Sequence, residues 1–126
     1  MTGVQTCALP ISCIFVTGQL KDGTVALDWP MLARPRQTVV VYMGAETLPI
    51  IAQRLIEHGL PSSTPVALIE NGTTAHERRV VGTLATIEQQ ARRAEVEGAT
   101  LFMIGEVVGL ALARESEFRF VSRIGL

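Results

Sequence analysis

The sequence predicts an α/β fold, a mixed β-sheet flanked by helices, and two kinds of observation support it. Residues 38–43 and 65–69 are unbroken apolar runs rich in β-branched side chains. Runs of this kind, without alternating polar residues, are typical of strands that are covered on both faces. The stretch between them has helical periodicity, so the order strand, helix, strand is expected.

The helix between the two strands is marked at both of its ends. Thr47 stands at the expected N-cap, and Pro49 falls in the first turn, where a missing N–H costs little. Gly59 is expected to end the helix in a left-handed conformation. The apolar residues that recur at helical spacing form one expected buried face, and they are Leu48, Ile51, Ala52, Leu55 and Ile56.

The rest of the chain carries weaker signals in a regular order. Thr86 and Gln89 have the spacing of a capping box and predict the start of a second helix, which Gly98 is expected to close. Local signals place the other segments as a strand end at 14–16, a turn at 21–23, an irregular connection at 28–37, a strand at 79–84 and a buried strand at 100–105. Four or five strands and two helices are therefore expected.

Composition excludes several classes of function. The 126 residues are 48% hydrophobic, which is enough for the core of one ordinary domain. Eleven basic and twelve acidic residues give a net charge of −1, so a basic surface for nucleic acid is not expected. No apolar run approaches the roughly 20 residues of a membrane span, and the two cysteines lack the histidine neighbours of a zinc site. We expect a cytoplasmic protein without a metal site.

The first eleven residues, MTGVQTCALPI, resemble a translated sequencing adapter and are interpreted as non-native sequence. The native part of the sequence is then expected to begin at Ser12, and the natural coding sequence is expected to continue upstream of it. We expect residues 12–112 to form one subdomain and assign no structure to the tail at 113–126.

Two loops that follow the apolar strands are the first candidates for a binding site. One contains Tyr42, Met43 and Gly44, and the other spans residues 70–74. Ligands of open α/β sheets gather at the carboxyl ends of strands, so the two loops would face each other if their strands were neighbours. Gly72 either allows close approach of a ligand or adopts a positive φ in a turn.

Five blocks of sequence together resemble the C-terminal subdomain of the tetrapyrrole methylase family. The resemblance covers about residues 12–112, and it is greatest to the uroporphyrinogen-III C-methyltransferases, free-standing or as the methylase half of sirohaem synthase. The blocks are VTGQLKDG (16–23), RQTVVVYMG (36–44), HGLPSSTPVALIENGTT (58–74), RRVVGTL (78–84) and LFMIGEVV (101–108).

The resemblance implies a site for S-adenosyl-L-methionine, the methyl donor of the family. It assigns contacts with the adenosyl group to Met43 and Gly72, with their neighbours Tyr42 and Thr73 as further candidates. A soft thioether and backbone polar groups suit a flat, mostly apolar adenine ring. The implied substrate is uroporphyrinogen III, methylated twice to precorrin-2 for sirohaem or cobalamin, and the implied assembly of the full-length protein is a homodimer.

Two departures from the family pattern limit what can be assigned. Gln19 stands where the family has a histidine, and an amide does not carry protons near neutral pH. The N-terminal subdomain, in which the resemblance places the catalytic residues, is not in the sequence, so no catalytic residue is assigned. We expect the 126 residues alone neither to bind the donor tightly nor to catalyse.

Three other functions are compatible with the sequence. Another precorrin or cobalt-precorrin methylase has the same family signature, and a more distant relative methylates ribosomal RNA, which the neutral charge disfavours. The chain could also be a catalytically inert folded dimerisation module.

Arg78 and Arg79 are expected on a solvated strand edge.

Overall fold

The computed structural model describes residues 12–18, 27–42, 46–97 and 99–110, and in them five strands form one mixed sheet. The order across the sheet is β1-β2-β5-β3-β4. β1 and β2 are parallel, whereas β5 is antiparallel to β2 and β3, and β4 is antiparallel to β3. The strands are β1 Ser12–Thr17, β2 Gln37–Tyr42, β3 Pro65–Glu70, β4 Arg78–Thr83 and β5 Thr100–Ile104, and the helices are α1 Trp29–Leu32, α2 Leu48–Glu57 and α3 Ile87–Arg93.

One face of the sheet carries the hydrophobic core. The strand register places Val41, Phe102 and Leu68 side by side on three neighbouring strands. Phe102 is fully buried, and α2 and α3 cover this face with Ile51, Leu55 and Ile87. The α/β prediction, with helices flanking a mixed sheet, is confirmed.

The helix predicted between the two apolar strands is α2. Pro49 lies in its first turn, and Gly59 follows its end with φ +113°, as predicted. Ile56 is exposed and not buried, because its direction lies about 80° around the helix from that of Leu48. Thr47 holds the N-cap position, but its side chain makes no capping hydrogen bond.

The second helix, α3, begins where predicted but not by the predicted device. The Thr86 hydroxyl accepts a hydrogen bond from the Thr83 amide at 3.0 Å and donates to Gln90 Oε1 at 3.1 Å, so no capping box forms. The helix ends at Arg93, and Glu95 adopts a left-handed φ of +52° just after it. A non-glycine residue therefore closes the helix before Gly98 is reached.

The segment 28–37 is not wholly irregular, because it contains the one-turn helix α1. Asp28 caps this helix by accepting a hydrogen bond from the Met31 amide at 3.2 Å. Pro30 lies in the first turn, where its fixed φ suits a helix. A cap and a proline at the right spacing were sufficient for a turn of helix that apolar periodicity did not reveal.

Several sequence predictions lie outside the described residues. They concern the adapter-like residues 1–11, Gln19, the turn at 21–23, Met43 and Gly44, Gly98, and the tail at 113–126. In the part of the chain that the structure describes, no helix is long and apolar enough to cross a membrane.

Candidate functional site

β2 and β3, the strands that precede the two candidate loops, finish at the same end of the sheet, but they are not neighbours. β5 lies between them, and its Leu101 is paired with Tyr42 on one side and Ile69 on the other. With a strand spacing of about 4.8 Å, the two strand ends stand roughly 10 Å apart. The two loops therefore begin at the same level, with the first residues of β5 between them.

The loop after β3 is held in an unusual backbone conformation. Asn71 and Thr73 both have left-handed φ values, +52° and +66°. The Asn71 amide donates to the Ala99 carbonyl at 2.9 Å, and the Thr74 hydroxyl donates to the Asn71 carbonyl at 2.6 Å. The left-handed region is tolerable for asparagine but costs about 1–2 kcal/mol for a β-branched residue such as threonine.

Gly72 lies between these two residues and does not itself have a positive φ. A Cβ added to it would lie 3.2 Å from Ile69 Cγ2, which is tight but not prohibitive. Gly72 is exposed, and its amide donates no hydrogen bond to the described residues. The explanation by positive φ is therefore wrong, and no side chain at this position covers the adjacent backbone.

Glu77 secures the middle of the loop. Its Oε1 accepts a hydrogen bond from the Thr73 amide at 2.9 Å, and its Oε2 pairs with Arg79 at 3.0 Å. The hydrogen bond from the Thr73 amide, followed by Arg79, lowers the pKa of the Glu77 carboxyl below its usual value. The lowered pKa means that ionised Glu77 stabilises the folded state. This stabilisation is fully present above the ordinary pKa of a glutamate and is lost as the pH falls through the lower pKa of the folded state.

Glu70 secures the base of the same loop. Glu70 is 3% exposed, and its carboxylate accepts hydrogen bonds from Arg78 Nε at 2.6 Å and from the Glu97 amide at 2.7 Å. Arg78 also donates to the carbonyls of Ala94 and Glu95, at 2.7 and 3.2 Å. The Glu70 carboxylate raises the pKa of Arg78. The Glu70–Arg78 pair thus joins β3, β4 and the segment that leads into β5.

This pair corrects two expectations. Arg78 is not merely a solvated strand edge, because all the contacts above fix its guanidinium group. Glu70 was placed in a polar loop and is instead the last residue of β3. The available signal was the opposite charge of Glu70 and Arg78, which face each other across an antiparallel pair.

Tyr42 is the last residue of β2, and its side chain lies on the sheet face opposite the core. Its ring stacks on Phe15 with a centroid separation of 6.1 Å and an interplanar angle of 22°. Both rings are exposed, Tyr42 by 44% and Phe15 by 63%. The structure therefore places Tyr42, Gly72 and Thr73 at the same end of the sheet, where β2 and β3 finish, whereas Met43 lies outside the described residues.

A cleft of about 450 Å³ opens on the helical side of the sheet, between the start of α2 and the segment after α3. Its walls include Leu48, Ala91, Val96 and Glu97 but neither Gly72 nor Thr73. Among the described residues, no group of three or more His, Cys, Asp or Glu side chains could hold a metal ion. The described candidate residues Gly72 and Thr73 thus present exposed loop backbone and do not line this cleft.

Comparison with protein families identifies one match and a consistent set of relatives. The model of the Tetrapyrrole (Corrin/Porphyrin) Methylases matches residues 6–88. The siroheme synthase of Nitrosospira multiformis is 54% identical over 99 residues, which are 79% of this chain and 21% of that protein. The siroheme synthase of Azotobacter vinelandii is 54% identical over 96 residues, again 21% of its length. The chain thus spans about a fifth of these relatives.

Solved structures agree with the sequence relatives. The uroporphyrin-III C-methyltransferase of Thermus thermophilus, complexed with S-adenyl homocysteine, aligns with a TM-score of 0.68 and 32% identity over 81% of this chain and 45% of its own. A cobalt precorrin-4 methyltransferase aligns with a TM-score of 0.66 at 16% identity over 75% of this chain and 41% of its own, which is a likeness of fold alone.

Proposed function

The chain belongs to the tetrapyrrole methylases, and on that premise we propose that it is part of a methyltransferase acting on uroporphyrinogen III. The proposed reaction transfers methyl groups from S-adenosyl-L-methionine to pyrrole carbons and yields precorrin-2 for sirohaem or cobalamin. Support comes from the similarity to siroheme synthases and to a uroporphyrin-III C-methyltransferase whose structure contains S-adenyl homocysteine. The observation that carries the proposal is the Gly72 amide, which has no hydrogen-bond partner among the described residues and lies in a fixed loop at the carboxyl end of β3.

The described residues fit the adenosyl part of the donor. Gly72 has no side chain to obstruct a ring that approaches its backbone, and its amide donates to no acceptor in the part of the chain that the structure describes. An adenine edge presents both donors and acceptors, which a backbone amide and carbonyl complement. We propose that Gly72 and Thr73 contact the adenosyl group from one side and that Met43 and Tyr42 contact it from the other.

The donor supplies an activated methyl group on its sulfonium sulfur. The chain's own residues bind and orient the donor, so that little of the chemistry falls to them. Because the chain spans about a fifth of the siroheme synthases, we propose that the tetrapyrrole site and the catalytic groups draw on residues outside it. We propose that the chain alone binds the donor weakly and does not methylate uroporphyrinogen III.

The donor site is tested by titrating S-adenosylhomocysteine into the chain and into its Met43→Asp variant. We expect weak, measurable binding at millimolar ligand, and we expect Met43→Asp to abolish it because an anionic carboxylate replaces an apolar contact. Isothermal calorimetry or amide chemical shifts measure the affinity. The control is Met31→Asp, which makes the same change at the half-exposed Met31 of α1. Equal affinities of Met43→Asp and the unaltered chain would refute the assignment.

Gly72→Val provides a second test that separates binding from stability. Its branched side chain would occupy the approach to the loop, and we expect affinity for S-adenosylhomocysteine to fall at least about tenfold. Gly72→Ala should melt within roughly 5 °C of the unaltered chain, because its Cβ meets Ile69 Cγ2 at 3.2 Å and Glu77 Oε1 only at 3.9 Å. The control is Gly109→Ala, where an added Cβ has no neighbour within 4 Å. Undiminished binding by Gly72→Val would count against the site.

The cellular setting and the assembly are also proposals. We propose that the intact protein acts in the cytoplasm as a homodimer. The exposed free thiol of Cys13 is consistent with a reducing compartment. The exposed Phe15–Tyr42 stack is an apolar surface of the kind that subunit contacts cover. Sedimentation of the full-length protein as a monomer would contradict the homodimer.

A further inference from the structure

Among the described residues, Glu77 is the one whose side chain hydrogen-bonds to the Gly72–Thr73 peptide without belonging to either residue. Its two carboxylate oxygens have different partners. Oε1 accepts from the Thr73 amide at 2.9 Å, and Oε2 accepts from Arg79 Nε at 3.1 Å and pairs with its terminal nitrogen at 3.0 Å. Arg79 on β4 therefore orients the carboxylate, and the carboxylate orients the loop.

This contact determines which way the Gly72–Thr73 peptide faces. The described peptide bonds are all trans, and the N–H and C=O of a trans peptide point in opposite directions. Because the Thr73 N–H points at Glu77, the Gly72 carbonyl points away from it. That carbonyl accepts only the adjacent Thr73 hydroxyl, at 2.6 Å, among the described residues. Gly72 consequently presents its carbonyl outward, and its amide, which belongs to the preceding peptide, has no hydrogen-bond partner among the described residues.

The conformation of the loop needs such a hold. Thr73 has φ +66°, and a β-branched residue disfavours this region unless its surroundings maintain it. A hydrogen bond to an ionised carboxylate is stronger than one to a neutral acceptor. Without Glu77, we expect Thr73 to favour negative φ and the peptide before it to rotate.

We propose that Glu77 is a positioning residue of the methyl-donor site, which holds the Gly72–Thr73 peptide in the orientation that recognises the adenosyl group. The inference rests on the proposed function, because it assigns Glu77 a role in that same site. Glu77 touches neither donor nor substrate in this scheme; it acts through the backbone of the loop.

Affinity for S-adenosylhomocysteine, measured on the 126-residue chain, tests the role with three variants. We expect Glu77→Leu to weaken binding roughly tenfold, and Glu77→Gln, which retains an acceptor oxygen, to stay within about threefold. Glu57→Leu is the matched control, because Glu57 also pairs with an arginine, Arg54, but lies at the far end of α2. We expect Glu57→Leu to bind as the unaltered chain does.

Hydrogen exchange provides a second readout, and its first part uses the unaltered chain alone. In the unliganded chain, the Thr73 amide should exchange more slowly than the Gly72 amide, which has no partner among the described residues, and Glu77→Leu should remove that difference. Equal exchange rates at the two amides in the unaltered chain would overturn the proposal, even if Glu77→Leu failed to fold.

The outcomes separate the two levels of inference. Binding by the unaltered chain that Glu77→Leu leaves unchanged overturns the positioning role and leaves the proposed function standing. Equal losses in Glu77→Leu and Glu57→Leu also overturn it, because they show a general loss of stability. Absence of binding by the unaltered chain at millimolar ligand overturns the donor site, and the positioning role with it.

Discussion

Glu70→Ala is expected to destabilise the chain by about 2–3 kcal/mol, because it removes a buried acceptor from two donors at once. Glu70 is buried, and its carboxylate accepts hydrogen bonds from Arg78 and from the Glu97 amide. Alanine would leave that amide without its partner and open a small cavity. Urea denaturation of the purified chain measures the change in the free energy of unfolding, and in thermal denaturation we expect Tm to fall by roughly 10 °C.

Glu70→Gln is the informative control for this variant. Glutamine keeps the volume and one acceptor oxygen but loses the charge that pairs with Arg78. We expect it to be intermediate between the unaltered chain and Glu70→Ala. If Glu70→Ala were as stable as the unaltered chain, the buried pair would not be what joins β3, β4 and the start of β5.

Phe102→Ala is expected to have the largest effect on stability, about 4 kcal/mol. Phe102 is fully buried at the centre of the sheet, beside Val41 and Leu68 on the two neighbouring strands. The substitution removes most of a large side chain beneath α2 and leaves a cavity that a rigid sheet does not close. Because small domains are marginally stable, a measurable fraction of unfolded chain is expected at 37 °C.

The comparison for Phe102→Ala is Phe102→Leu, which retains much of the volume and should cost about 1–1.5 kcal/mol. Chemical denaturation monitored by far-ultraviolet circular dichroism follows both variants. Similar midpoints for Phe102→Ala and the unaltered chain would show that the strand order or register around Phe102 is wrong.

Local pattern was sufficient to predict the elements that form the body of the fold. The β-branched run in β2 and the period of α2 report burial directly, because each depends on neighbours in sequence. Thr86 shows where such reasoning fails, since its hydroxyl had two possible partners and the Thr83 amide of β4 took it. A cap depends on which chain segment arrives beside it, and local sequence does not record that.

The candidate site was predictable in part for the same reason. The loop containing Gly72 could be located because a glycine follows a buried strand. The role of Glu70 could not, because a carboxylate is rarely buried and its partners, Arg78 and the Glu97 amide, are brought to it by tertiary structure. The left-handed φ of Thr73 was missed for a different reason: its partner Glu77 is only four residues away, but hydrophobic periodicity does not report a hydrogen bond from a side chain to the backbone of a loop.

The position of β5 has a consequence for how this chain acquires its structure during synthesis. The strand that joins β2 to β3 is the last of the five described strands to be made, at Thr100–Ile104. Until it leaves the ribosome, β2 and β3 have no common neighbour, and their inner edges are unpaired and prone to association with other chains. We expect a nascent chain arrested before residue 100 to be protease-sensitive and one arrested well beyond residue 110 to be protected, so that closure of the sheet is a late event that depends on a single strand.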